Sequence, residues 1–561
     1  MPERRPPLRL VDPELPPSPG VADALRAAGP RVHLLAASVL IDAGALDAAW
    51  EPLEEAARDA HDPLVREELG LLLLRLARGW EDRRRREAAR AALRLAAQLA
   101  PRRAVPVLAR HLQQEGAWDE ALALWARAIE LDPGEADHHL HHGRLLEARG
   151  RHGEAHAAYL RLVETLPTAR SALTVAPRLE RLAGQLPPAP GTATRIAMLG
   201  SATLDQLRDC LMVQAHRAGL RPRIHLGTPD QYELEIADGD SGLHRFGAEV
   251  VILAVHRSRL FPELERLPCR VPASEFREVI LPGLDRVRSL LGAFRSHSSA
   301  RVLLHNMVVP QLPASGTVEA DELGLRDAFH HVNLLLARLT HTEFGDVHLV
   351  DEDAVQGRCG KAGATDPRLW LAAGMPWSES VLMPLAQEHV RHLLAARGDR
   401  ARSCLVVGLD NTLWRGRVAE DGAGGVELGA RAPGNAFQLF QHQLDLLRTS
   451  GVRLAICSKA DRDAAVALLE THPDMLLRLG DFAATRIGCA SKPAGVREIA
   501  AELGIGLDSV VFWDDSPEER AQMRAELPQV LTPEVPADPA RHRQALVDLA
   551  VFDSIDRRER R

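Results

Sequence analysis

From residue 195 onward, short apolar runs return again and again with amphipathic stretches between them, and this alternation leaves few folds open. The runs are RIAMLGS (195–201), RPRIHLG (221–227), EVVILAV (249–255), RVLLHNMV (301–308) and DVHLVD (346–351), followed by CLVVGLD (404–410), RLAICS (453–458) and SVVFWDD (509–515). Apolar strands alternating with helices predict parallel sheets covered on both faces. Ligands of such sheets sit where the strands end at their carboxyl side. A chain of 561 residues exceeds what one hydrophobic core supports. The runs are therefore divided between two Rossmann-like α/β domains, at 195–400 and 401–553.

Upstream the pattern becomes purely helical. The stretches GAWDEALALWARAIELDPGEAD (116–137) and GRHGEAHAAYLRLVETLPT (150–168) superpose at an offset of 34 residues, pairing Gly116 with Gly150, Ala121 with Ala155, Trp125 with Tyr159 and Pro133 with Pro167. That period, with small residues at helix crossings and a closing proline, resembles the tetratricopeptide repeat. Weaker copies at 44–63 and 83–101 extend the expected α-solenoid to 31–180. A loose tail at 1–30, a proline- and glycine-rich linker at 181–194 and a polar tail at 554–561 complete the expected organisation. Arrays of this kind bind a protein partner or associate with a second copy. Within the array, His138, His139, His141 and His142 read as a solvated helix face, and Arg83 to Arg86 as a helix surface.

Composition excludes several function classes. A net charge of −8 supplies no broad cationic field for nucleic acid or an anionic membrane. No apolar run is long enough to span a bilayer, and the N-terminal stretch lacks an apolar signal core, so a cytoplasmic protein is expected. The six cysteines are scattered with no CxxC pair, which predicts free thiols rather than disulfides or zinc. Only Lys361, Lys459 and Lys492 are lysine among 69 basic residues. Where arginine has replaced lysine so widely, a retained lysine marks a position that needs a compact charge.

Two of those lysines fall in four polar clusters at strand ends of the last domain: DNT (410–412), SKAD (458–461), SKP (491–493) and DDSPEER (514–520). Together they describe a phosphoryl pocket. Thr412 and Ser458 offer hydroxyls, Lys492 a positive charge, and Asp514 with Asp515 a seat for a hard cation such as Mg²⁺. In the preceding domain, Ser201, Asn306 and Asp366, with Arg368 and Trp370 nearby, occupy strand-end or loop positions.

The order of these motifs resembles the haloacid dehalogenase superfamily of phosphotransferases. In detail, DNTLWRGRVAEDG, LAICSKAD and ASKPAGVREIAAELGIGLDSVVFWDDSPEER, preceded by IAMLGSATLDQL and QYELEIADGDSGLHRFGAEVVILAV, resemble the FkbH-like proteins of polyketide biosynthesis. The resemblance implies an SGNH-hydrolase-like domain followed by a haloacid-dehalogenase-like one. It also implies transfer of a glyceryl or acyl unit from a phosphorylated three-carbon metabolite to an acyl carrier protein thiol, with Mg²⁺. Carried over residue by residue, Asp410 is acid/base and a metal ligand with Asp514 and Asp515. Thr412, Ser458, Asn411 and Lys492 bind phosphate, with Lys492 also catalytic. Superfamily members open with two aspartates two residues apart, the first attacking phosphorus. Asp410 matches the second; the first is Gly408, which removes a phosphoaspartyl intermediate at that position.

Three functions are compatible with this set. A carrier thiol can attack the carbonyl carbon of an acyl phosphate so that phosphate merely leaves, with Cys457 as a transient acyl carrier. Alternatively, the pocket is an inactive pseudo-phosphatase and the repeats act as a scaffold. Third, Ser201 is an SGNH-type nucleophile with Asn306 in the oxyanion hole, although no DxxH base follows and only Asp366 stands in its place. Cys404, Cys489, Trp414 and Trp513 flank the motifs and are expected to pack.

Overall fold

The computed structural model describes residues 30–58, 60–187, 193–266, 275–311, 324–398, 402–422 and 425–553. The expected tails at 1–29 and 554–561, the middle of the linker at 188–192 and Cys269 lie outside the described residues. The architecture is an α-solenoid followed by two parallel-sheet α/β domains.

Consecutive helix pairs build the solenoid, from Pro30–Asp42 with Leu46–Arg58 to Ala136–Ala148 with His152–Thr165, and Ala169–Ala183 follows the last of them. The repeat period has a direct structural meaning. Gly116 and Gly150 follow the helices Pro101–Glu115 and Ala136–Ala148 closely, with φ of 81° and 70°, conformations that side chains disfavour. Ala121, Ala155, Trp125 and Tyr159 are fully buried. Gly143 lies so close to the Tyr159 ring that a Cβ there would stand 2.5 Å from it. The histidine cluster corrects an expectation: His138 and His139 are buried, and His139 Nε2 bonds the Pro133 carbonyl at 3.0 Å. The His141 ring stacks on Trp125, with centroids 4.6 Å apart. Burial pushes His142 down to about 4. A helix face that looks polar in sequence is covered here because the neighbouring repeat supplies aromatic surface.

The chain forms two compact units that cut across the sequence boundaries. One joins the solenoid to Thr203–Leu226 and Cys359–Pro384; the other holds Ile196–Ala202, Gly227–Arg358 and Leu385–Arg561. Within the first, the helix Asp205–Arg217 adds to the array: Arg208 pairs with Glu180, and His156 Nε2 meets His216 Nδ1 at 3.0 Å.

The middle sheet comprises β1 (Ala193–Gly200), β2 (Arg221–Leu226), β3 (Val250–Ala254), β4 (Arg301–His305) and β5 (Val347–Val350), in the order β2-β1-β3-β4-β5. Strand β3 is buried along its whole length, as a central parallel strand covered on both faces must be.

The last sheet comprises β6 (Cys404–Val407), β7 (Arg453–Ser458), β8 (Ala484–Ile487) and β9 (Val510–Trp513), in the order β8-β7-β6-β9, all parallel. Leu405, Val407, Leu454, Ile456, Val511 and Trp513 pack on one face, while Val406, Ala455, Cys457 and Phe512 pack on the other. Edge strand β8 escapes sequence reading because it is four residues long, with Thr485 and Arg486 half-exposed at its centre. Among the described residues, no helix is long and apolar enough to cross a membrane.

Candidate functional site

The register of the last sheet sets the site. Val407 lies opposite both Ile456 and Trp513, so the next residues on the three strands, Gly408, Cys457 and Asp514, reach the same edge. The Gly408 N–H donates to the Trp513 carbonyl at 3.0 Å and holds this level together.

After Gly408 the chain turns sharply. Asn411 takes φ of 52°, a left-handed conformation that asparagine tolerates, and its side-chain oxygen accepts the Gly416 N–H at 3.0 Å. That oxygen is therefore committed to shaping the loop. Asp410 Oδ1 accepts from Trp414 Nε1 at 3.1 Å and from the Val418 N–H at 3.2 Å. These two bonds fix the carboxylate while leaving its second oxygen for chemistry. Trp414 and Trp513 are fully buried, and Trp513 stacks on Phe440 at 5.4 Å, so both tryptophans are core.

Lys492 begins the helix Lys492–Leu503, capped by Ser491, and is buried. Its Nζ donates to Asp514 Oδ2 at 2.7 Å, while Asp514 Oδ1 accepts the Ser516 N–H at 3.2 Å. Asp514 is almost completely buried. Loss of water raises its carboxyl above the usual range despite the Lys492 charge. Asp515 is pushed up to about 6, first by burial and then by the neighbouring Asp514 charge. Arg520 holds this acidic turn by donating to the carbonyls of Asp514 at 2.9 Å and Asp515 at 2.7 Å. Sequence reading passed over Arg520; its one signal was an arginine closing the DDSPEER cluster.

Gly408 borders this pair directly. A Cβ placed on it would stand 2.6 Å from Asp514 Oδ2 and 3.2 Å from Thr412 Oγ1. Asp514 thus puts a carboxylate oxygen against the place that a side chain at 408 would enter. The Thr412 hydroxyl is buried there with no hydrogen-bond partner among the described residues, an uncommon and costly state. Ser458 is buried at the end of β7, its Oγ accepting the Ala460 N–H at 3.2 Å, so its own proton remains to be donated. Lys459 turns instead to Glu519 at 2.6 Å.

The register brings Cys457 to this edge, yet its thiol is inside the core. Cys457 Sγ lies 3.5 Å from the Lys492 carbonyl and 3.7 Å from Cys489 Sγ, and a Cβ on Gly495 would stand 2.7 Å from it. The hydrogen bond with Cys489 and then burial push its thiol far above the ordinary range. A transient acyl carrier has to meet a bulky donor, which this thiol cannot do, and the expectation for Cys457 is corrected accordingly.

Magnesium suits the donors only in part. Among the described residues no group of three His, Cys, Asp or Glu side chains is arranged to hold a metal. Asp514 and Asp515 supply two carboxylates, a set that fits Mg²⁺ when phosphate and water oxygens fill the other positions.

In the middle domain the expected residues have other partners. Ser201 Oγ accepts the His256 N–H at 2.8 Å. Asn306, just beyond β4 rather than within it, donates to Asp351 at 2.7 Å and accepts the Asp353 N–H at 3.1 Å. Asp366 caps the helix Pro367–Ala373 by accepting the Arg368 N–H at 2.8 Å. Unanticipated is a buried chain: Gln356 to Glu352 at 2.7 Å, Glu352 to His305 Nδ1 at 2.8 Å, and His305 Nε2 to His389 Nε2 at 2.8 Å.

The α/β fold recurs in a solved structure. A chain described as the N-terminal part of the protein BF1531 from Bacteroides fragilis, containing a phosphatase domain complexed with Mg, superposes with a TM-score of 0.59. The two are 23% identical, over 68% of this chain and 99% of that one, a likeness that shows the fold. A MamA protein aligns over 27% of this chain and 81% of its own at 19% identity, with a TM-score of only 0.21. MamA 41-end from Desulfovibrio magneticus RS-1 aligns over 25% of this chain and 95% of its own at 18% identity, with a TM-score of 0.16. Scores this low carry no weight for the solenoid. No protein-family model matches the chain, and no curated protein does.

Proposed function

We propose that the last domain binds a phosphorylated three-carbon acyl donor and passes its glyceryl or acyl unit to the thiol of an acyl carrier protein. The observation that carries this reading is the buried Lys492–Asp514 pair set against Gly408, a charged anion seat lacking an oxygen that would attack phosphorus from position 408. With no nucleophile there, the carbonyl carbon of an acyl phosphate is the remaining electrophile. The carrier thiol forms the C–S bond, the C–O bond to phosphate breaks, and phosphate leaves with the electron pair.

Each residue has a part that its surroundings support. Lys492, Ser458 and the amino end of the helix Lys492–Leu503 face negative charge. Asp410, oriented by Trp414 and Val418, takes the thiol proton. Mg²⁺ bound through Asp514, Asp515 and the phosphate would neutralise charge on the leaving group. Support for Mg²⁺ also comes from the Bacteroides fragilis chain, whose phosphatase domain is described as complexed with Mg. The solenoid is the surface we assign to docking the carrier or another protein.

A second reading, an inactive pocket on a scaffold, is favoured by one observation: Asp514 Oδ2 is already engaged by Lys492 and is thereby drawn away from a metal. Incubation with 1,3-bisphosphoglycerate, Mg²⁺ and a phosphopantetheinylated carrier protein, followed by mass measurement of both proteins, decides between the two. Transfer adds a phosphoglyceryl unit to the carrier. Unchanged masses with donor still bound favour the inactive pocket.

A further inference from the structure

Cys457 and Cys489 approach each other in the fold although 31 residues separate them along the chain. Their sulfurs lie 3.7 Å apart. A disulfide needs about 2.05 Å, so forming one requires the two sulfurs to close the remaining gap. The two thiols differ in the way that a redox pair requires. Cys457 is fully buried, whereas Cys489 is half-buried between the exposed Gly488 and Ala490. The hydrogen bond from Cys457, followed by the charges of Lys492 and Lys459, draws Cys489 down to about 7 although burial opposes it. Cys489 is thus the accessible thiol with thiolate character, and Cys457 is its resolving partner.

We infer that Cys457 and Cys489 form a reversible disulfide that couples oxidation to the anion seat of Lys492 and Ser458, the coupling resting on the phosphate-binding reading above. The oxidant is hydrogen peroxide. The Cys489 thiolate attacks the peroxide oxygen, forming a sulfenic acid and releasing hydroxide, or water once that hydroxide is protonated. Formation of the sulfenic acid removes the thiolate that holds the Cys457 proton in place. The Cys457 sulfur then attacks Cys489, the S–O bond breaks, and the hydroxyl leaves as water with the Cys457 proton. Two thiols and one peroxide give one disulfide and two waters.

The coupling follows from what the pair joins. Cys457 immediately precedes Ser458, whose carbonyl accepts the N–H groups of Gly488 and Cys489 at 2.9 and 3.2 Å. Cys489 Sγ also lies 3.3 Å from that carbonyl, and three residues further on comes Lys492. Closing the sulfurs pulls the end of β7 against the segment that delivers Lys492, which moves Ser458 and the lysine relative to each other.

Full-length protein is treated with hydrogen peroxide, mapped by peptide mass, and titrated with inorganic phosphate and Mg²⁺ by calorimetry. The expected result is a Cys457–Cys489 linked peptide, about 2 Da lighter than the two reduced peptides together. It is absent in Cys489→Ser and in Cys457→Ala, and dithiothreitol reverses it. Phosphate affinity of the oxidised protein falls by at least about tenfold and returns on reduction, whereas Cys489→Ser keeps its affinity under peroxide. Over-oxidation of Cys489 with Cys457 still a free thiol overturns the disulfide. A linked peptide with unchanged phosphate affinity overturns the coupling. If the reduced protein itself takes up no phosphate, the reading of the pocket fails and the coupling goes with it, while the mass result still decides the disulfide.

Discussion

The two parallel sheets carry similar polar residues at their strand ends and use them in opposite ways. At the edge of the middle sheet, Ser201 accepts the His256 N–H, and Asn306 donates to Asp351 and accepts the Asp353 N–H, so these side chains tie loops together. At the edge of the last sheet, a lysine and an aspartate are buried together, a second aspartate is pushed up to about 6, and a threonine hydroxyl has no partner among the described residues. A strand-end serine or asparagine thus says little by itself. What separates a ligand seat from a loop staple is polar capacity that the protein leaves unused or under electrostatic load.

The comparison breaks most sharply at Lys492. Lys492→Met leaves Asp514 buried without its counter-charge and is expected to cost about 3–5 kcal/mol in denaturant unfolding, together with loss of phosphate binding. An unchanged unfolding midpoint with intact binding would reduce the pair to ornament. Next comes Gly408→Asp. Its Cβ would stand 2.6 Å from Asp514 Oδ2, so that carboxylate must swing away, at about 1–3 kcal/mol. If position 408 lacks only the attacking oxygen, this variant acquires steady phosphate release from an acyl phosphate, read with a colorimetric phosphate assay.

Acid separates the two sheets by sign. The Asp515 carboxyl is raised from 3.8 to about 6 by burial and by Asp514, so between those values the folded state holds more protons than the unfolded. Stability therefore rises as pH falls through 6, by about 2 kcal/mol after allowance for partial exposure. Burial, followed by the His305 charge, pushes His389 well below 6.5, so there the folded state holds fewer protons and stability is lost as pH falls below 6.5. Thermal unfolding of Asp515→Asn and His389→Gln across this range checks both slopes: the first variant should lose the gain and the second the loss. The smallest effect belongs to Ser201→Ala, about 1 kcal/mol for one hydrogen bond and no change in carrier loading. Abolished loading would return the chemistry to the middle domain.

Much of the fold was legible because its signals are periodic. The 34-residue offset marks real left-handed glycines and buried aromatic partners, and the apolar runs become strands nearly as written. Strand β8 was hidden because an edge strand needs little apolar surface. The candidate site was legible through its charges, since Lys492, Asp514 and Gly408 do share one edge. Cys457 misled because a strand-end residue lies one position away from facing the opposite environment, and sequence does not show which helix roofs it. His305, Glu352 and His389 gave no signal at all, being far apart in the chain and joined only by packing.

The most direct test titrates the wild-type protein with acetyl phosphate and Mg²⁺ while following inorganic phosphate. The account predicts saturable binding heat that Lys492→Met abolishes, with no phosphate released while carrier thiol is absent. Steady phosphate release by the wild type, or no saturable binding, would contradict it.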